Sequence, residues 1–163
     1  MEIRYITKDE AVDYLKVSAA SFIWKFNKEV DTAVDIPVLA AFHEGKLIAG
    51  VEMYDYRTNY CGNFIDSLVV SGVCSIPEYR RMGAVRAIFG EIFRLAPERG
   101  WATSFLYPFS YNYYRQYGYE RVMKRMRIKV PAYVLEKFPR NTSAKMYIKD
   151  GPVKKEEILA VYN

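Results

Sequence analysis

The sequence predicts an α/β domain organised around one sheet, and three observations carry that expectation. Apolar runs of strand length, Val38–Phe42, Lys46–Tyr56, Phe64–Ser75 and Ala102–Tyr107, are each bounded by turn-forming residues. One segment of clear helical period, Gly83–Ala96, lies between the last two of them, with Val85, Ile88, Phe89, Ile92 and Leu95 on a single apolar stripe. The chain of 163 residues is 51% hydrophobic and 26% charged, which is enough to bury one core at the usual length of one domain.

The remaining elements follow in order. Residues 2–6 alternate as a strand does, and Thr7 with Glu10 three positions later forms a capping box. The helix it starts places Val12, Leu15, Ala19 and Phe22 inward. Residues 27–36 are polar and irregular and read as a loop closing at Ile36-Pro37. His43-Glu44-Gly45 reads as a hairpin turn with Gly45 at positive φ, and Arg57–Gly62 as a loop. Gly72, inside a β-rich run, marks a bulge or a close backbone approach. Pro97 and Gly100 end the central helix. Ser110 caps a short helix, Ser110–Tyr117, that Gly118 terminates. Glu120–Val130 reads as a strand and 131–137 as a helical turn. Lys145–Lys149 is a last strand candidate before Asp150-Gly151-Pro152.

Composition excludes several classes. There are 24 basic and 19 acidic residues, a net +5 that favours anionic partners such as phosphates but is too scattered to argue for nucleic acid. Arg115, Arg121, Lys124, Arg125, Arg127 and Lys129 come closest to a basic ribbon, yet several alternate with apolar residues as one solvated strand face does. Two cysteines make no disulfide framework, and a single histidine, His43, makes no His-based metal site. No apolar run approaches the ~20 residues of a membrane span, and the first ten residues contain no signal-peptide core. The expectation is a cytoplasmic protein without metal, membrane or nucleic-acid partners. Fifteen tyrosines and nine phenylalanines point to a lined cavity or an interface in addition to a core.

Chemistry concentrates in Val73-Cys74-Ser75-Ile76-Pro77-Glu78-Tyr79-Arg80-Arg81-Met82-Gly83-Ala84, where a buried strand turns into a helix. A helix N-terminus offers unpaired N–H groups and partial positive charge, Gly83 allows close approach to the backbone, and two guanidiniums add bidentate phosphate donors. Those are the parts of a pyrophosphate site. They are equally the parts of an ordinary strand-to-helix connection with arginines for solubility. The segment is neither a Walker loop nor a G-x-G-x-x-G turn.

Arg80-Arg81-Met82-Gly83-Ala84-Val85 resembles motif A of the GNAT acetyltransferases, Arg/Gln-x-x-Gly-x-Gly/Ala, with Val85 where the family has a small residue. Leu106-Tyr107-Pro108-Phe109-Ser110, followed by Tyr113-Tyr114-Arg115-Gln116-Tyr117-Gly118-Tyr119-Glu120, is similar to a stretch of the enhanced-intracellular-survival (Eis) branch of that family. The resemblance implies the GNAT fold: a central mixed, mostly antiparallel sheet with splayed middle strands, flanked by helices. It implies acetyl-CoA in the splay, paired along the backbone of Val73, Cys74 and Ser75, with its pyrophosphate on Arg80, Arg81, Met82, Gly83, Ala84 and Val85. Phe109 and Ser110 would also contact it, and Tyr114 matches the general acid that protonates the departing thiolate.

The implied reaction is N-acetyl transfer to a primary amine by direct attack in a ternary complex. A strand N–H near Val73 would face the developing oxyanion. Aromatic placement nominates Trp24, Phe26, Tyr54 and Tyr56 for the acceptor pocket, whose ligand is a small-molecule amine or a lysine. Glu52 and Asp66 are weaker candidates as proton relays. Cys74 reads as a small buried hydrophobe, not a nucleophile, and His43 as a solvent-exposed turn residue. The similarity spans about residues 1–140. Full-length relatives continue into a second GNAT-like domain and a sterol-carrier-like domain, are oligomeric, and use their terminal carboxylate as general base, a role not given to Asn163. Residues 141–163 are then a linker and the start of a second domain at Lys155-Glu156-Glu157-Ile158-Leu159. The rival reading is a non-catalytic CoA-binding or oligomerisation module of a larger protein.

Overall fold

The computed structural model describes residues 1–25, 37–124 and 126–139. Chain contacts divide it into two units, Met1–Val122 and Met123–Asn163. In the second unit the described residues contain one short helix, Ala132–Leu135, in the predicted helical turn. Phe26, the predicted loop 27–36, the strand candidate Lys145–Lys149 and the helix start at Lys155 lie outside the described residues.

The first unit runs β1 (Glu2–Tyr5), a 3-10 turn at Lys8–Glu10, α1 (Ala11–Phe22), β2 (Val38–His43), β3 (Lys46–Tyr60) and β4 (Asn63–Ser75). A second 3-10 turn at Pro77–Tyr79 leads to α2 (Ala84–Arg99), β5 (Thr103–Leu106) and α3 (Tyr111–Arg115). The sheet order is β1-β2-β3-β4-β5. The first three pairings are antiparallel and β4–β5 is parallel, a mixed, mostly antiparallel sheet as expected.

Helix α2 buries Ala84, Ile88, Phe89 and Ile92, four residues at helical spacing, against Leu39, Val51, Met53, Leu68 and Val70. On the other cluster Tyr14, Leu15 and Val17 of α1 meet Val38, Ala40, Phe42, Leu47 and Cys74. Each large apolar side chain sealed this way contributes roughly 1.5–3 kcal/mol. The predicted capping box is present at Thr7 and Glu10. The inward stripe of α1 differs from expectation, however: Phe22 is 54% exposed, while Tyr14 is 1% exposed.

Three further expectations are corrected. Arg57–Gly62 is no loop, because β3 and β4 stay paired out to Tyr60 and Asn63 and turn on Cys61 and Gly62 alone. Both turn residues have positive φ, 51° and 84°, the type I′ geometry whose twist suits a two-residue hairpin. Pro97 does not end α2 but sits within its last turn, and the helix closes at Gly100 with φ 72°. The described residues among Glu120–Val130 form no strand, since no neighbouring strand supplies them with a ladder.

Two irregularities shape the sheet. Gly50 pairs with Cys74 but Glu52 pairs with Ser71, so Val51 faces both Gly72 and Val73 in a bulge of β4. The β4–β5 ladder stops at Val70–Leu106, although β4 continues to Ser75. The splay therefore begins just before the bulge.

Two predictions follow from the packing. Arg4 donates to both oxygens of Glu10, at 2.8 and 2.7 Å, and the Thr7 N–H donates to Glu10 at 2.8 Å, tying β1 to the start of α1. The Arg4 hydrogen bonds, then the Thr7 amide, hold the Glu10 carboxyl down at about 2. A depressed carboxylate pKa stabilises the fold above the unfolded value and loses that contribution as pH falls through the folded one. Melting temperature should fall between pH 4.5 and about 2, and Glu10→Gln should flatten that limb and cost about 1 kcal/mol at neutral pH, the partial exposure of the pair being allowed for. A Cβ on Gly50 would stand 2.7 Å from Tyr14 Cδ2. Gly50→Ala should accordingly cost roughly 1–3 kcal/mol in denaturant unfolding, through displacement of a buried ring.

Candidate functional site

The strand-to-helix connection leaves backbone donors free at a helix start. Pro77 starts the 3-10 turn, whose last N–H groups are spent internally, and the chain then bends through Arg81 at φ 68° and Gly83 at φ 81°. A left-handed arginine is strained, and such conformations concentrate at functional loops. Gly83 is the N-cap residue of α2, and no side chain caps that end, so its first amides are left for another acceptor. Arg80, Arg81 and Met82 are exposed. Neither arginine has a carboxylate partner among the described residues. Ala84 is buried, and Val85 is half-buried against the main core, so the branched side chain takes part in packing.

The splay supplies a second element. Beyond Val70 the β5-facing edge of β4 has no strand partner among the described residues, which leaves Ser71–Ser75 with an open row of backbone donors and acceptors. Val73 is half-buried against the main core. Cys74 is 3% exposed with its Sγ 3.6 Å from the Gly50 carbonyl, and burial pushes the thiol up to about 12, so it stays protonated. Ser75 is half-buried, and its carbonyl accepts from Ser21 Oγ at 3.4 Å.

Tyr114 stands in a nest of rings made by Phe89, Phe109, Tyr113 and Tyr119, at centroid distances of 6.1, 5.6, 5.1 and 6.3 Å. Ser110 starts the helix that carries it, its Oγ accepting from the Tyr113 N–H at 3.4 Å. Phe109 is 77% exposed and bridges the nest to solvent. The Tyr114 ring is buried, but its hydroxyl has no hydrogen bond among the described residues, and no sealed side-chain oxygen there lacks a partner. The oxygen must therefore reach the surface. Burial, with Tyr117 and Tyr119 nearby, pushes its pKa up to about 12, so at neutral pH the group is a proton donor.

A third cluster was only partly foreseen. Tyr14 donates to Glu52 Oε1 at 2.9 Å and lies 3.2 Å from the Gly72 carbonyl, while Tyr54 donates to Glu52 Oε2 at 3.1 Å. Glu52 is half-buried and no described cation pairs with it. Burial first, then Glu52, pushes Tyr54 up to about 12. Tyr14 was missed because its ring lies beside the expected apolar stripe of α1. The available signal was the pair of glycines, Gly50 and Gly72, inside central strands.

The other nominated residues are dispersed. Trp24 is half-buried against the α1 cluster. Tyr56 is 62% exposed and lines a separate open recess of about 270 Å³ with Asp55, Arg57, Asp66, Arg99 and Trp101. Asp66 is exposed there and lies 3.6 Å from Arg57. His43 is half-buried, its ring 6.0 Å from that of Tyr79. Among the described residues no group of three His, Cys, Asp or Glu could hold a metal, and no helix is long and apolar enough to cross a membrane.

A conserved protein of unknown function from Enterococcus faecalis, with an N-acyltransferase designation, superposes at TM-score 0.68 and 26% identity over 73% of this chain and 32% of its own. Eis1 from Mycobacterium abscessus superposes at TM-score 0.63 and 22% identity, over 73% and 32%. This chain thus spans about a third of the length of either. A ribosomal-protein-alanine N-acetyltransferase from Brucella melitensis superposes at TM-score 0.66 and 17% identity, over 80% of this chain and 100% of its own. No functionally curated protein matches the sequence. The Acetyltransferase (GNAT) domain family matches residues 2–122. With the mixed sheet, the splay after Val70 and the uncapped helix behind Gly83, that match establishes that the chain belongs to the GNAT acetyltransferase family.

Proposed function

We propose that this chain is an N-acetyltransferase that moves acetyl from acetyl-CoA to a primary amine by direct attack in a ternary complex. The carrying observation is the open β4 edge, Ser71–Ser75, running into an uncapped helix N-terminus beside two guanidiniums with no carboxylate partner among the described residues. An extended amide-bearing arm ending in a pyrophosphate has the chemistry those two elements lack. Val73, Cys74 and Ser75 would pair with the arm, Arg80 to Val85 would hold the phosphates, and Phe109 and Ser110 would flank it. Bound there, acetyl-CoA supplies an activated acyl thioester.

The chain's own groups take the remaining tasks. A backbone N–H at the Val73 bulge faces the charge that develops on the acyl oxygen. Tyr114, protonated and open to solvent at its tip, gives its proton to the leaving sulfur. Glu52, a carboxylate with phenol donors and no described cation partner, takes the proton of the attacking amine. Trp24, Phe26, Tyr54 and Tyr56 are the nominated walls for the acceptor, a small-molecule amine or a lysine. Membership of the Eis branch, a domain spanning residues 1–140, a longer oligomeric parent protein and a cytoplasmic setting belong to the same proposal. The Tyr107-Pro108-Phe109 and Tyr113–Glu120 stretches and the Enterococcus likeness support it.

The test is calorimetric titration with acetyl-CoA, then thiol release with polyamine, aminoglycoside and lysine-peptide acceptors. Binding with turnover is expected; binding without turnover on any acceptor would favour the non-catalytic CoA-binding module. Arg81→Ala should weaken CoA about tenfold, the loss of one charge-assisted phosphate contact, and leave a phosphate-free pantetheine fragment unaffected. Tyr114→Phe should bind acetyl-CoA normally while kcat falls by ~10²-fold, the lower end for a lost general acid. Wild-type turnover in that variant would remove Tyr114 from the mechanism.

A further inference from the structure

We propose that Tyr14 is a positioning residue that sets the β4 bulge, its hydroxyl holding the Gly72 peptide against Glu52 so that the Val73 N–H keeps its orientation toward the open edge. The proposal rests on the acyl-transfer reading above and adds a residue outside the Arg80–Val85 and Leu106–Glu120 motifs.

A bulge removes its residues from the neighbouring ladder, so β3 cannot hold the peptide planes of Gly72 and Val73 as it holds the rest of β4. Gly72, at φ 56°, has no side chain to restrict it. Something outside the strand must hold that backbone. Among the described residues Tyr14 is the side chain whose donor reaches the Gly72 carbonyl, at 3.2 Å, and the same oxygen sits 2.9 Å from Glu52 Oε1. One phenol hydrogen is thus shared between a carboxylate and a peptide carbonyl, which keeps both on the same side of the ring. The ring itself has no freedom to leave. Tyr14 is 1% exposed and lies where Gly50 leaves room for it. A Cβ on Gly72 would collide with the Tyr14 hydroxyl and stand 2.5 Å from the Glu52 carboxyl carbon. Both glycines are therefore matched to this one tyrosine.

The same contact acts on Glu52. The titratable groups facing that carboxylate are Tyr14 from α1, Tyr54 from β3 and the Cys74 thiol from β4, with no described lysine, arginine or histidine paired to it. Two phenol donors from different elements hold the carboxylate in place, and Tyr14 is the one that also reaches Gly72.

The decisive variant is Tyr14→Phe, which keeps the ring and deletes the donor. The expected result is a folded protein whose CoA affinity stays within about twofold. Its preference for acetyl-CoA over CoA should drop several-fold, and kcat should fall about tenfold while KM for acetyl-CoA changes far less. Unchanged acyl preference and kcat would overturn the proposal. A merely structural tyrosine would lower melting temperature without moving the preference. The wild-type protein gives a measurement that needs neither turnover nor the variant: a slowly exchanging Tyr14 hydroxyl proton with a nuclear Overhauser contact to Gly72 Hα. Its absence would overturn the proposal even if Tyr14→Phe fails to fold. Its presence in a protein that binds no CoA would retain the contact and reject the acyl-transfer reading.

Discussion

The Tyr14 ring lies across the sheet where Gly50 offers no side chain, and its hydroxyl ends between the Glu52 carboxylate and the Gly72 carbonyl. Buried polar groups must be paired, and here the pairing joins a helix to both central strands at their one point of broken register. Glu52 can be half-buried without a described cation because two phenols reach it from different elements. Gly72 can hold a left-handed backbone because a carbonyl acceptor and a donor meet there. The α1 cluster, the bulge and the carboxylate beside the splay are consequences of one side chain fitting two glycines.

The opening of the sheet has a separate cause. Parallel β5 is only four residues long and its ladder ends at Leu106, where Tyr107-Pro108 turns the chain away. Proline has no amide to continue a ladder. β4 runs on past β5 for five residues, Ser71–Ser75, paired on its β3 side only, and delivers the chain to the turn before α2. An exposed strand edge is ordinarily a liability. Here it is continuous with an uncapped helix N-terminus and two arginines without a carboxylate partner among the described residues, and the proposed acetyl-CoA site uses edge and terminus together.

The aromatic load divides between these tasks. Phe89 is fully buried and stacks on Tyr117 at 4.4 Å, Tyr114 and Tyr119 meet it edge-on, and Tyr113 meets Tyr114 edge-on. Five-residue α3 could not place Tyr114 by its own stability, since an isolated helix of that length does not form. The rings hold it there. Tyr56, Tyr60 and Phe64 are different: they sit exposed along the long β3–β4 hairpin and belong to no such nest.

The sequence by itself determined the elements whose cause is local. The helical stripe from Val85 to Leu95 is a periodicity, the Thr7–Glu10 box and the Ser110 cap are hydrogen bonds within one turn, and the Arg80–Gly83 approach to a helix start is a matter of adjacent residues. Motif resemblance added the family. Only the tertiary structure decided what depends on partners distant in the chain. Arg57–Tyr60 became strand because Asn63–Asp66 pairs with it, and polar side chains had concealed that ladder. Glu120–Val130 alternates as a strand does, yet its described residues find no ladder to join. Tyr14 meets Glu52 and Gly72 across 38 and 58 positions of chain, a juxtaposition that no local pattern encodes. Strand pairing and buried polar contacts are satisfied between elements, so their chemistry becomes visible only once the sheet has brought those elements together.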